Sequence, residues 1–376
     1  MNPYSTQCID QSDIEAVVQA LQGSHLAQGP LVEEFEKAMA TYLGVAHVLA
    51  CNSATSALLM AYQALGLAKH DAITTPISFV ATTNMLLACQ AMPLFCDIGT
   101  DGNLNPALLE ETYRAHPQRE RVKAVVSVDY GGRSVDVQAI KEFCARYGLY
   151  FISDSSHALG GTYRGQKIGS LADATIFSLH AIKPITTAEG GLITTHDSAL
   201  YHKLKLLRAH GVENRGFDVE VHNYGYNFRM NELQGALGLS QLPKLDAFVA
   251  VREEIARFYD RAFTNNPYFT PLHASLPPHV ASSNHLYPIL LNPNLWEKKN
   301  ALLQALLDAQ IGVQVHYKPI HTFKLYQERL GYLHLPEAQD FYRAELSLPC
   351  HQKMTLALAQ YSADTLLKIC AELWRS

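Results

Sequence analysis

The sequence predicts an α/β protein, with a mostly parallel central sheet flanked by helices and a smaller α+β C-terminal domain. Three observations carry that expectation. Between residues 47 and 156, short apolar or β-branched runs alternate with helix-length segments, the pattern of repeated βαβ units. The runs KAVVSVDY (123–130) and LYFISDSS (149–156) begin almost continuously apolar, as strands covered on both faces do. Residues 265–283 then carry four prolines and interrupt the periodicity, which marks a boundary. A chain of 376 residues exceeds what one core usually supports, so two domains are expected, 1–264 and 265–376.

Residues 10–21 read as a helix, with Asp10 or Ser12 as cap and Ile14, Val17, Val18 and Leu21 on one face. GSHLAQGP (23–30) breaks it before a second helix over 31–43. Residues 47–50 form a strand, and Cys51-Asn52-Ser53-Ala54-Thr55-Ser56 opens an apolar helix reaching about 67. Small residues at that turn leave helix N–H groups free for a phosphate, although an ordinary Asn/Ser-capped helix is the commoner source of such a pattern. Strands at 72–76, 92–98, 123–130 and 149–156 are separated by helices after Ser78-Phe79, around 105–115 and over 135–147. Ligands of such sheets lie outside the carboxyl ends of the strands, where Asn52, Phe79, Asp129 and Asp154 all fall. ATIF (174–177) and LITT (192–195) read as two strands flanking a loop rich in hydroxyls and glycine. A helix over 198–210 capped by Asp197, a loop over 211–230, a helix over 231–242 and a long amphipathic helix to 263 follow. Beyond the boundary, 284–291 reads as a strand, 298–309 as a helix, 312–321 as a strand and turn, and 363–373 as a final helix.

Composition excludes several function classes. The net charge of −5 is scattered, so no nucleic-acid partner is expected. No apolar run approaches the ~20 residues of a spanning helix, and MNPYSTQCIDQSDIE lacks the basic and apolar regions of a signal peptide. The expectation is a cytoplasmic protein without a membrane partner. Seven cysteines form no C-x-x-C pair and read as reduced, mostly buried thiols. Seventeen histidines are dispersed without an H-E-x-x-H spacing, so no metal site is expected.

The loop between ATIF and LITT holds one lysine, Lys183, and Pro184 keeps it out of a helix interior. A lysine held there can be desolvated, lose its proton and attack carbonyl carbons. A surface lysine on a hairpin is the plainer alternative. Asp154 ends an apolar strand twenty-nine positions earlier. Carboxylate, lysine and phosphate-sized helix N-terminus are the parts a pyridoxal phosphate site requires. The carboxylate keeps the pyridine nitrogen protonated, the lysine bonds the aldehyde carbon, and the small-residue turn takes the phosphate. Phe79 is placed to stack on the ring.

These residues also carry a resemblance. NSATSAL (52–58), SDSSHALG (153–160), FSLHAIKPITTAEGG (177–191) and YNFRMNELQGALG (226–238) resemble the DegT/DnrJ/StrS sugar aminotransferases, of fold type I. The likeness extends over nearly the whole chain, from HLAQGP to VHYKPIH and LSLPCH. HAIKPITTAEGG, TTPISFVAT (74–82), SVDYGGRSV (127–135), SSNHLYPIL (282–290) and QVHYKPI (314–320) are similar to the pseudaminic-acid branch. That similarity implies pyridoxal 5'-phosphate as cofactor and L-glutamate as amino donor. The acceptor it implies is C4 of a UDP-4-keto-6-deoxy amino sugar, UDP-2-acetamido-2,6-dideoxy-β-L-arabino-hex-4-ulose. Lys183 matches the Schiff-base lysine, Asp154 the partner of the pyridine nitrogen, and His157 the residue near the phenolic oxygen. Ala54, Thr55 and Ser178 match the phosphate cradle. Asn227 matches a phosphate contact from the second subunit of a homodimer with shared sites. Tyr4, His25, Arg229, His316 and Tyr317 are the candidate substrate contacts; bracing of the dimer is an equal reading of Arg229, and packing of His316 and Tyr317. The related dehydratases have histidine at the lysine position, so Lys183 favours amino transfer. Another nucleotide keto-sugar as substrate, or a cofactor-binding regulatory protein on the same fold, are the alternatives.

Overall fold

The computed structural model describes residues 2–375, apart from the side chains of residues 214 and 215. Helix α1 (Gln11–Gln22) starts at a reciprocal cap. Asp10 accepts from the Asp13 amide, and the Asp13 side chain accepts from the Asp10 amide. Helix α2 (Pro30–Leu43) opens on a proline and stops at Gly44, which takes the left-handed conformation of a C-cap. Strand β1 (His47–Cys51) leads through Ser53, whose hydroxyl accepts from the Ser56 amide, into α3 (Ala54–Ala64). The alternation continues with β2 (Asp71–Thr74), α4 (Ala81–Ala88), β3 (Met92–Phe95), α5 (Leu109–Ala115), β4 (Val122–Val128), α6 (Val137–Tyr147) and β5 (Tyr150–Asp154). A short ribbon, β6 (Thr162–Tyr163) and β7 (Gln166–Lys167), precedes β8 (Ala174–Ser178) and β9 (Gly191–Thr195). Then come α7 (Ser198–Arg208), the hairpin β10 (Val212–Arg215) and β11 (Asp218–Val221), α8 (Glu232–Gln241) and α9 (Leu245–Ala262). The remainder comprises β12 (Phe269–Pro271), β13 (Val280–Ala281), β14 (Tyr287–Leu291), α10 (Lys299–Asp308), α11 (Lys324–Leu330), α12 (Pro336–Ala344), β15 (Glu345–Leu348) and α13 (Leu356–Arg375).

Seven strands form the central sheet in the order β1-β9-β8-β5-β4-β2-β3. β9 alone runs against its neighbours β1 and β8; the other pairings are parallel. Successive side chains point to opposite faces, and here both faces are covered. Val126, Ile152 and Ile176 pack under α3, α4 and α7, while Val125 and Phe151 pack under α5 and α6. Each such fully buried side chain contributes ~1.5–3 kcal/mol, which is why these runs are almost wholly apolar. A second sheet, β12-β14-β15, is antiparallel and shares a core with α9, α10 and α13.

Four local expectations change. Residues 312–321 form no strand, only a bridge between Gln314 and Ser347. Side chains take the backbone groups a ladder would use: the His316 amide donates to Glu345 at 2.6 Å, and the Tyr130 hydroxyl donates to the His316 carbonyl at 2.7 Å. The final helix starts at Leu356 rather than 363, with the Thr355 hydroxyl accepting from the Leu358 amide. The segment 211–230 contains the β10–β11 hairpin, of which β11 is exposed. Helix α1 buries Asp13 and Ala20 and leaves Ile14, Val18 and Leu21 at 49%, 45% and 57% exposure. Asp13 is drawn inward because it accepts from Ser240, Gln241 and Lys244, which turns the apolar stripe outward.

Candidate active site

The site begins where β9 passes the start of α3. The register sets Cys51 opposite Gly191, and a Cβ on Gly191 would lie 2.5 Å from the Ala54 nitrogen. Glycine lets the strand touch the turn. Helix geometry leaves the Ala54 and Thr55 amides without intrahelical acceptors, and Ser178 ends the adjoining β8. Beside them the Asn52 side-chain oxygen is buried without a hydrogen-bond partner. Exposed N–H groups at a helix start, with the positive end of its dipole, form an anion site.

Asp154 ends β5 and is held from two sides. The Thr82 hydroxyl donates to one carboxylate oxygen at 2.6 Å, and the Ser156 hydroxyl and amide donate to the other at 2.6 and 3.2 Å. These bonds fix the carboxylate's direction. Lys183 is buried in the loop between β8 and β9, and its backbone amide donates to the His180 carbonyl. Burial pushes its amine down from 10.5 to about 8; Asp154 pulls it up, and Arg252 adds a smaller push down. At neutral pH about a tenth of such amines are unprotonated, against under a thousandth for an exposed lysine.

His157 follows Asp154 by three positions. Its Nδ1 accepts from the Gly131 amide at 3.3 Å, so the proton of the neutral ring is on Nε2, which meets the Tyr317 hydroxyl at 3.1 Å. Burial, then the charge of Lys183, keeps this ring neutral well below the ordinary histidine range. Tyr317 lies 6.3 Å from Phe79, ring centre to ring centre, and His316 lies 5.4 Å from Tyr4. His316 is anchored through Nδ1 to Ser347, which donates in turn to buried Glu345; burial lowers His316 to about 3 and raises Glu345 to about 7. Burial of the Tyr4 ring also raises its hydroxyl.

One cavity of about 620 Å³ gathers Tyr4, Ala54, Thr55, Phe79, Asp154, His157, Ser178, Lys183, His316 and Tyr317. Phe79 is 62% exposed at its rim. Three predicted residues do not line it. His25 borders a separate cavity beside Glu232, between α1, α2 and α8. Asn227 is exposed and Arg229 half-buried, and their backbones bridge Ala209 and Cys51. Thr82, Ser156, His285 and Arg252 stand behind the lysine and its carboxylate without having been singled out in the sequence. Thr82 and His285 lie in stretches that carry the resemblance, TTPISFVAT and SSNHLYPIL, so that signal was present. Arg252 is one charge among many on an amphipathic helix and had none.

A deprotonatable buried lysine, a fixed carboxylate and an anion cradle converge at the carboxyl edge of a parallel sheet. Together they define a lysine-dependent group-transfer enzyme of the α/β class. The chain belongs to the DegT/DnrJ/EryC1/StrS aminotransferase family, whose model matches residues 7–366. It is 48% identical over 369 residues to the UDP-4-amino-4,6-dideoxy-N-acetyl-β-L-altrosamine transaminase of Helicobacter pylori, covering 97% of this chain and 96% of that protein. A Campylobacter jejuni protein of the same name is 46% identical, covering 98% of this chain and 97% of its own. The structure of Helicobacter pylori PseC, an aminotransferase involved in the biosynthesis of pseudoaminic acid, superposes with a TM-score of 0.94 at 48% identity, covering 98% of this chain and 99% of that one. The PLP-form of a putative sugar aminotransferase, Spr1654 of Streptococcus pneumoniae, gives a TM-score of 0.92 at 28% identity, covering 99% of both.

Proposed function

We propose that this aminotransferase moves the amino group of L-glutamate to C4 of UDP-2-acetamido-2,6-dideoxy-β-L-arabino-hex-4-ulose, giving UDP-4-amino-4,6-dideoxy-N-acetyl-β-L-altrosamine. The observation that carries the reading is the burial of Lys183 beside a hydrogen-bonded Asp154, in a chain 46–48% identical to transaminases of that name. The residues fit pyridoxal 5'-phosphate. The cradle at Ala54 and Thr55 exists because Gly191 lacks a Cβ, which lets the strand pass against the helix start. When bound, pyridoxal phosphate supplies an aldehyde that bonds amines and a protonated ring that takes up electrons. Ala54 and Thr55 amides with the Ser178 hydroxyl would hold its phosphate, Asp154 its ring nitrogen, His157 its phenolic oxygen, and Phe79 one ring face. Lys183 is the proton carrier: its free amine takes the proton from Cα of L-glutamate and later delivers one to C4 of the sugar. Tyr4, His316 and Tyr317 close the cavity on the side away from α3 and orient the sugar nucleotide.

The enzyme acts as a homodimer with shared sites. The outward stripe of α1 lies beside Ala181 and Ala188 of the lysine loop, an apolar face that a second copy would cover. Asn227, exposed in one chain, then reaches the phosphate held by the other, with Arg229 and His25 beside the same interface. Seven free cysteines suit a reducing cytoplasm. The test is an assay of purified protein with L-glutamate and each of the L-arabino and D-xylo UDP-4-keto sugars, the product examined by NMR. A new amine at C4 of the L-arabino sugar is expected. Amination of the D-xylo sugar alone, or at C3, would overturn the assignment.

A further inference from the structure

Among the described residues, the Lys183 amine meets one hydrogen-bond partner, Nε2 of His285, 3.4 Å away. His285 is 2% exposed, and its ring leans on His157 with centroids 4.5 Å apart. Its place is imposed from outside the site. The Ser283 and Leu286 amides donate to the carbonyls of Gly132 and Gly131 at 3.2 and 3.1 Å. Arg252, fully buried on α9, donates to the carbonyls of Asn284, His285 and Cys350 at 3.4, 3.2 and 2.5 Å. The ring is thus set in position by the turn after β4 and by α9, not by the lysine.

Burial first, then the charges of Lys183 and other neighbours, keeps His285 neutral, so one ring nitrogen carries the proton. Nδ1 is buried without a partner. A proton there would be an orphaned buried N–H, which is rarer and costlier than an orphaned acceptor. The proton therefore belongs on Nε2, aimed at the lysine nitrogen. An ammonium has three donors and no acceptor, so it faces this N–H donor to donor, whereas a neutral amine accepts it. His157 cannot play this part, because its Nε2–H is directed to Tyr317.

We propose that His285 is a positioning residue that donates Nε2–H to Nζ of Lys183 and so holds the free amine in its neutral form, ready to swing to the substrate carbon and take a proton. This rests on Lys183 being the proton carrier. The groups facing the amine are Asp154 on β5, His157 after it, Arg252 on α9, His316 and Tyr317 on the 312–321 segment, and His285. Burial and, more weakly, Arg252 disfavour the ammonium, and Asp154 draws the lysine toward it. The Nε2–H of His285, 3.4 Å from the amine, adds a donor that only the neutral form can accept.

Two measurements on the full-length, cofactor-free protein test the proposal. Nitrogen-15 NMR of histidine-labelled wild type, assigned by the signal lost in His285→Gln, is expected to show the His285 proton on Nε2. A proton on Nδ1 in the wild type overturns the proposal, and His285→Phe serves the assignment equally. The second is the pH dependence of Lys183 acylation by acetic anhydride, read by mass spectrometry of the Lys183 peptide. His285→Phe should raise the midpoint by about one pH unit, a tenfold loss of neutral amine, and His285→Gln, whose side chain keeps an N–H donor, should recover most of it. A midpoint that stays or falls in His285→Phe overturns the proposal. Neither readout involves turnover or cofactor, so their failure leaves the aminotransferase reading standing; that reading falls separately if Lys183→Ala still transfers amino groups.

Discussion

Lys183 destabilises the fold it serves. Its amine sits at about 8 in the folded chain and at 10.5 when exposed, so between those values the unfolded chain binds the extra proton. Stability contributed by this group therefore rises with pH from about 8 to 10.5, and below 8 the full penalty of roughly 3 kcal/mol is present. Lys183→Met in the cofactor-free protein is expected to gain about 2 kcal/mol in denaturant unfolding at pH 7, with the gain shrinking toward pH 10.5. An equal gain at both pH values would mean that packing, not charge burial, explains it. Lys183→Arg should lose all turnover and the visible absorbance of the cofactor-loaded protein, since a guanidinium stays protonated. Asp154→Asn keeps one acceptor oxygen but loses the carboxylate that Thr82 and Ser156 hold in place. Single-turnover bleaching with glutamate should slow by about 10²-fold or more, the scale of proton-transfer contributions. An unchanged rate would assign the ring nitrogen to another acid.

At the scale of elements, the cradle depends on β9 running against α3 with no side chain between. Gly191→Ala places a Cβ 2.5 Å from the Ala54 nitrogen, a backbone atom that cannot step aside as a side chain does. The expected cost is about 1–3 kcal/mol, seen as a lower Tm, together with weaker pyridoxal phosphate binding in titration. A variant with wild-type Tm and affinity would show that strand and helix are free to separate. The double glycine was legible in the sequence as part of a loop, but the helix it serves begins 137 positions earlier, as the partners Gly191 and Ala54 show. The 312–321 segment taught the opposite lesson. Its alternating valines read as a strand, and the carboxylate of Glu345 and hydroxyl of Tyr130, each remote in sequence, took its backbone groups instead.

At the scale of the molecule, the proposed two-fold partner would cover the exposed α1 stripe and give the exposed Asn227 a site to reach. Lys183→Ala and Asn227→Asp chains, each inactive alone, should restore activity when co-expressed, because one site of every heterodimer carries neither lesion. Random assembly makes half the dimers mixed with one intact site each, so about a quarter of wild-type activity is expected. Isolated heterodimers no more active than either parent would show that Asn227 acts within its own chain.

The sequence by itself determined what depends on a few neighbouring residues. Caps at Asp10, Ser53, Asp197 and Asn231 start their helices, the apolar runs make the strands of a sheet covered on both sides, and Pro184 keeps Lys183 in a loop. Spacing along the chain also sets Asp154 at a strand end. Tertiary structure alone decided which of seventeen histidines comes within hydrogen-bonding distance of the lysine amine: His285 is 102 positions away and reaches it because α9 and the turn after β4 hold it there. Thr82 meets Asp154 across 72 positions for the same reason. The lowered proton affinity of Lys183 belongs to that level as well. Desolvation is a property of everything packed around an atom, and no local stretch of sequence contains it.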